Sequence, residues 1–184
     1  MIEDLSMHVA DVVTNALRAG AKTITVRLER RRGALTLEVT DDGRGMNPSE
    51  LDGARDPFYT TKERAVKVGL GLPLLAQTAE TLGGSLEITS KPGGGTTVRA
   101  VFPWDHPDRP PLGDLCGTLL PLVAASPGVE FSLVLADDDK TWQLDTSEVR
   151  RHIGDLPLTH REVISFLQGY VRDGMRRLGL KEEE

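Results

Sequence analysis

Residues 34–46 read Ala-Leu-Thr-Leu-Glu-Val-Thr-Asp-Asp-Gly-Arg-Gly-Met, and no other stretch limits the fold so strongly. Leu35, Leu37 and Val39 alternate with polar residues, the pattern of a half-buried strand. The strand runs into Asp41 and Asp42, then into Gly43 and Gly45. A carboxylate at a strand end, beside backbone that carries no side chain, can accept a hydrogen bond from an exocyclic amine. The glycines let a flat ring approach the main chain. Asp-Gly is also a common hairpin-turn dipeptide, so this stretch alone leaves both readings open.

The surrounding chain narrows the choice. Residues 4–17 carry Leu5, Val9, Val12, Val13 and Ala16 at helical spacing, with Asp4 or Ser6 as cap and Gly20 as terminator. Asp11 and Asn15 fall one turn apart on that helix. Residues 23–29 alternate as a strand, residues 30–33 turn, and residues 34–41 form the strand above. A short helix follows from Asn47-Pro48, and Gly69 and Gly71 open another over residues 73–82. Residues 85–90 and 96–102 make a hairpin. The proline- and charge-rich residues 104–111 suggest a boundary, giving a first unit at 1–104 and an accessory α/β unit at 105–184. In the latter, residues 112–125 predict a helix, 129–135 and 141–144 two strands, and 147–152 a helical turn. Thr159 is expected to cap an amphipathic helix reaching Leu178.

Together these features suit a triphosphate. Asn15 offers an amide oxygen for Mg²⁺ between phosphate oxygens, and Asp11 a carboxylate to polarise a water aimed at the γ-phosphate. Gly69 and Gly71 present backbone N–H groups at a helix start, where phosphate binds well. Asp41 would hold the base.

In this arrangement the chain resembles the GHKL ATPase superfamily of gyrase, heat-shock chaperones, histidine kinases and mismatch-repair ATPases. The N box is Asp11-Val-Val-Thr-Asn15-Ala16 and the G1 box Asp41-Asp-Gly43-Arg-Gly45-Met46. A run like the F box is Asp56-Pro57-Phe58-Tyr59-Thr60-Thr61-Lys62. The G2 box is Gly69-Leu70-Gly71-Leu72, and a third glycine run is Gly93-Gly94-Gly95-Thr96-Thr97. Each box is weak alone, but five in register carry the resemblance. It implies a Bergerat-type α/β two-layer sandwich, a mixed sheet with helices on one face, beside the small carboxy-terminal unit. It further implies ATP and Mg²⁺ as ligands. Asn15 would bind the metal, Asp41 the adenine amine, and Asp11 would act as the catalytic base. Gly43, Gly45, Met46, Gly69, Leu70, Gly71 and Thr97 would line the nucleotide. Arg18, Thr61, Lys62 and Lys67 would contact phosphate, with residues 58–68 as the lid. The chain departs from the pattern at Asp11, where hydrolytic members carry the longer Glu, and at Asp42, where Asn is usual. It also has Lys67 in place of a leading glycine.

The net charge of −6 argues against a nucleic-acid or anionic-membrane binder. A single cysteine, Cys116, excludes an intrachain disulfide, and with no apolar run of membrane length the expected setting is cytoplasmic. His8, one turn before Asp11, is expected to be a surface or packing residue rather than a phosphoacceptor. His106, His152 and His160 lack metal-ligand spacing, and Asp137-Asp138-Asp139 reads as a hairpin tip. The expected activity is phosphotransfer to a protein in trans, as in histidine kinases and anti-sigma-factor kinases, or slow ATP hydrolysis. The alternative is an ATP-sensing interaction module without turnover. The carboxy-terminal unit is the candidate surface for a protein partner, a substrate or a homodimer.

Overall fold

The computed structural model describes residues 4–54 and 71–180. Asp4 starts α1 (Leu5–Arg18) by accepting a hydrogen bond from the Met7 N–H at 3.0 Å. The chain then forms β1 (Thr23–Arg31), β2 (Ala34–Asp41), α2 (Pro48–Gly53) and α3 (Gly71–Thr81). It continues through β3 (Ser85–Ser90), β4 (Thr96–Pro103) and α4 (Leu115–Ala125). The last elements are β5 (Glu130–Asp137), β6 (Lys140–Asp145), α5 (Thr146–Ile153) and α6 (Arg161–Arg177).

The strands make one mixed sheet in the order β3-β4-β2-β1-β5-β6. Its register lines up apolar rows across all strands. One row is Leu86, Ala100, Leu37, Leu28, Leu135 and Trp142, and the next is Ile88, Val98, Val39, Val26, Leu133 and Leu144. Successive side chains alternate between faces, so these rows all turn to one side, where α1 and α3 pack. Each large apolar residue buried there contributes about 1.5–3 kcal/mol. The other face carries polar residues such as Glu87, Arg99, Glu38 and Arg27, with Arg27 paired to Glu29 at 3.3 Å. The two-layer expectation, helices over one face of a mixed sheet, is met.

The residues beyond 104 share this sheet and core. β5 lies parallel to β1, with Val26 opposite Leu133. A parallel neighbour requires a crossover, which α4 supplies while packing on α1. Backbone bonds from Leu5 N to Pro111 O (2.9 Å) and Ser6 N to Leu112 O (3.0 Å) tie the crossover to the start of α1. The guanidinium groups of Arg30 and Arg109 both lie over the Trp104 ring, 4.8 and 4.4 Å from its centre. Arg30 also bonds Asp137 of β5 at 2.6 Å. The proline-rich stretch read as a boundary is therefore a packed connection. The expected Thr159 cap is not found: His160 occupies the N-cap of α6 and makes no side-chain capping bond. Among the described residues no helix is long and apolar enough to cross a membrane.

Candidate functional site

Asp11 and Asn15 lie one turn apart on α1; α4 meets the helix near Ser6, whose hydroxyl is 3.0 Å from that of Thr118. Asp11 is exposed and Asn15 half-buried. The first residue of α3, Gly71, packs directly on Asp11: a Cβ at Gly71 would stand 2.7 Å from Asp11 Oδ2 and 2.8 Å from Asp11 Cβ. The backbone of the G2 box and the carboxylate of the N box are thus in contact, and only glycine leaves room for both. Arg18, in the last turn of α1, is exposed.

Asp41 ends β2 on the helix-covered face, in the row of Ser90, Thr96, Ile24 and Phe131. Its Oδ1 accepts the Gly43 N–H at 2.7 Å. Burial pushes the carboxyl above the ordinary aspartate range, and the Gly43 N–H pulls it back only in part; the neighbouring Asp42 charge adds to the rise. A Cβ at Gly43 would lie 2.8 Å from Asp41 Oδ1 and 2.9 Å from Ala19 Cβ, so this glycine keeps the end of β2 close to the end of α1.

The second carboxylate of the pair has a different task. Asp42 Oδ1 accepts the N–H groups of Thr23 (2.8 Å) and Lys22 (2.7 Å), and these bonds, Thr23 first, hold its pKa below the usual range. It caps the start of β1. Gly45, at φ +66°, is demanded by packing as well as by any ligand, because a Cβ there would fall 1.9 Å from the Lys91 carbonyl oxygen. Gly95 stands in the same relation to the Asp41 carbonyl oxygen. The G1 loop is therefore clamped onto the β3–β4 turn, and the Met46 N–H completes the clamp by bonding Ser90 Oγ at 2.9 Å.

Thr97 needs correction. It pairs with Thr40, their hydroxyls 3.1 Å apart, on the polar face turned away from Asp41. Its neighbour Thr96 shares Asp41's face, and the Thr96 backbone N–H favours the charged form of the Asp41 carboxyl. Sequence reasoning missed Thr96 and Ser90. The signal was strand parity: both follow the alternation of Ile88 and Val98, which marks the core face. Thr61, Lys62, Lys67, Gly69 and Leu70, with the expected lid, lie outside the described residues.

His8 and the acids of the β5–β6 hairpin have different surroundings. His8 is buried at 1% exposure, and burial lowers its pKa despite the opposing charges of Asp11 and Asp4. A phosphoacceptor role is closed to a side chain so enclosed. Asp137 and Asp138 serve the hairpin tip and Arg30. Cys116 is buried beside a small apolar cavity under α4 whose lining includes neither Asp11 nor Asp41. Among the described residues no group of three or more His, Cys, Asp or Glu side chains could hold a metal ion.

Tested on its own geometry, the site fits a nucleotide. Two glycines keep open the backbone beside Asp11 and Asp41, where a Cβ would intrude. The donor set, one carboxylate and one amide a turn apart, is oxygen-rich as a hard divalent cation requires.

Comparison with known proteins agrees. The model of the histidine kinase-, DNA gyrase B- and HSP90-like ATPases matches residues 2–106. The chain is similar to the sensor histidine kinase DcuS of Escherichia coli strain K12, 38% identical over 108 residues, which are 56% of this chain and 20% of that protein. It is also similar to sporulation kinase C of Bacillus subtilis strain 168, 30% identical over 95 residues, 50% of this chain and 22% of that protein. The chain therefore spans about a fifth of the length of these curated relatives. Among solved structures, the N-terminal domain of a DNA repair protein matches with a TM-score of 0.55 at 18% identity, covering 77% of this chain and 52% of that one; this likeness concerns the fold. With more than half its length matched, the chain belongs to the family of histidine kinase-, DNA gyrase B- and HSP90-like ATPases, and ATP binding goes with that membership.

Proposed function

We propose that this chain binds ATP with Mg²⁺ and acts as a kinase toward a protein in trans, or as a slow ATPase. The observation that carries the reading is the contact of Asp11 with the Gly71 backbone, with Asn15 one turn further along α1. In this reading Asn15 holds Mg²⁺, which neutralises phosphate charge. Asp41 accepts from the adenine amine, and its half-buried carboxyl is screened from competing water. Gly43 and Gly71 leave space for the ring and the phosphates. Asp11 takes the proton of the attacking water or acceptor side chain. Arg18, Lys62 and Lys67 balance phosphate charge.

The test is titration calorimetry with ATP in the presence and absence of Mg²⁺, followed by phosphate release. Asn15→Ala should abolish the Mg²⁺-dependent part of binding. Asp11→Ala should leave binding intact and remove turnover. Label transfer from γ-labelled ATP to a lysate protein then separates a kinase from an ATPase.

A second reading is favoured by the shorter reach of Asp11 compared with Glu. Here ATP orders the site and alters a surface for a partner, without turnover. Intact ATP binding with no phosphate release or transfer in the wild type would select it.

A further inference from the structure

Ser90 has one proton to donate and two lone pairs with which to accept. The structure surrounds it with three partners. The Gly95 carbonyl lies 2.9 Å from Ser90 Oγ, and a carbonyl can only accept, so the serine proton is committed there. The Met46 N–H, also at 2.9 Å, can only donate and takes one lone pair. The third partner is Thr96 Oγ1, again at 2.9 Å, a contact in which either hydroxyl could be the donor when taken in isolation. With the other two bonds fixed, Ser90 has only a lone pair left. Thr96 must therefore donate its proton to Ser90.

From this we infer that Ser90 is a positioning residue for base selection. By drawing the Thr96 proton away, it leaves Thr96 only acceptor capacity toward a ligand bound next to Asp41. Thr96 shares the face of Asp41 and sits opposite it in the β2–β4 pair. Asp41, when ionised, is an acceptor too. The two groups form a wall without donors. Such a wall fits the 6-amino group of adenine, which donates, and repels the 6-oxo group of guanine, which accepts. The inference rests on the proposed adenine-nucleotide reading and adds the group that sets the hydroxyl's direction. Neither Ser90 nor Thr96 moves a proton in the reaction.

The test measures ATP and GTP affinities of the whole chain by calorimetry, with thermal unfolding as the check on folding. The wild type should prefer ATP. Ser90→Ala frees the Thr96 hydroxyl to turn and donate, so the ATP-to-GTP preference should fall roughly tenfold, chiefly through a gain in GTP affinity. Ser90→Thr keeps a hydroxyl at the node and should retain the preference. Thr96→Val, of similar shape, should also narrow it, and it decides the matter if Ser90→Ala does not fold. A folded Ser90→Ala chain with an undiminished preference overturns the inference and leaves the adenine reading intact. A wild type that binds neither nucleotide, or both equally, overturns the adenine reading itself.

Discussion

Asp11 and Gly71 meet so closely that a methyl group on the glycine would lie 2.7 Å from the Asp11 carboxylate. The contact joins α1 to the first residue of α3. Gly71→Ala gains at most about 1 kcal/mol of helix propensity, and its backbone angle does not demand glycine. The added methyl must instead displace Asp11. We expect a thermal midpoint within about 4 °C of the wild type, and turnover reduced roughly tenfold or more. Differential scanning fluorimetry and phosphate release report the two quantities. Unchanged turnover would show that Asp11 needs no fixed position.

Asp41 should oppose stability and function. Burial raises its pKa in the folded chain. Its contribution to stability is thus fullest below the unfolded carboxylate value and is lost as pH rises through the folded value. Asp41→Asn removes that loss. Relative to the wild type, the variant should melt higher at pH 7 than at pH 4, while its ATP affinity falls roughly tenfold. Melting curves at the two pH values and one titration are sufficient. A larger relative gain in acid would contradict the assignment.

Asp42 should behave in the reverse sense. The Thr23 and Lys22 N–H groups depress its pKa, so its contribution is present above the unfolded value and is lost as pH falls through the folded one. Asp42→Ala should cost about 1 kcal/mol at pH 7, discounted for its exposure. The difference should shrink toward zero in acid below the carboxylate range. Urea unfolding at several pH values would measure it, and a cost that is constant with pH would rule out the charge as its source.

The residues past Trp104 should be needed for folding. Cutting there uncovers the β1 edge that β5 pairs and removes Phe131, Leu133 and Leu135 from the common core. We expect the 1–104 fragment to show no cooperative thermal transition by circular dichroism. A sharp transition near the midpoint of the full chain would mean the two parts are independent after all.

Much of the first half was legible because its signals are local. The alternation of Leu35, Leu37 and Val39 specifies β2, and helical spacing from Leu5 to Ala16 specifies α1. Asp41 was readable as a candidate ligand group because it ends an apolar strand. The misreadings came from relations that sequence spacing does not carry. Thr96 and Thr97 are chemically alike, and only registry with Asp41 decides which one shares its face. The departure at Asp42 carried no hint of its task, because its bonds run to Lys22 and Thr23 at the start of β1. The parallel pairing of β5 with β1 leaves no turn signature, so the prolines around Arg109 gave the impression of a linker. They instead form the packed entry to the crossover.

That crossover has a kinetic side. Arg30 and Asp137 are 107 positions apart, yet the strands that bear them are neighbours. During synthesis β1 can find β2 at once, but its other flank must wait until the ribosome has made β5. Closing so wide a loop slows the search for the native state. For that interval the nascent chain exposes an unpaired strand edge rich in Ile24, Val26 and Leu28, an invitation to the wrong partner that a chaperone would be suited to shield.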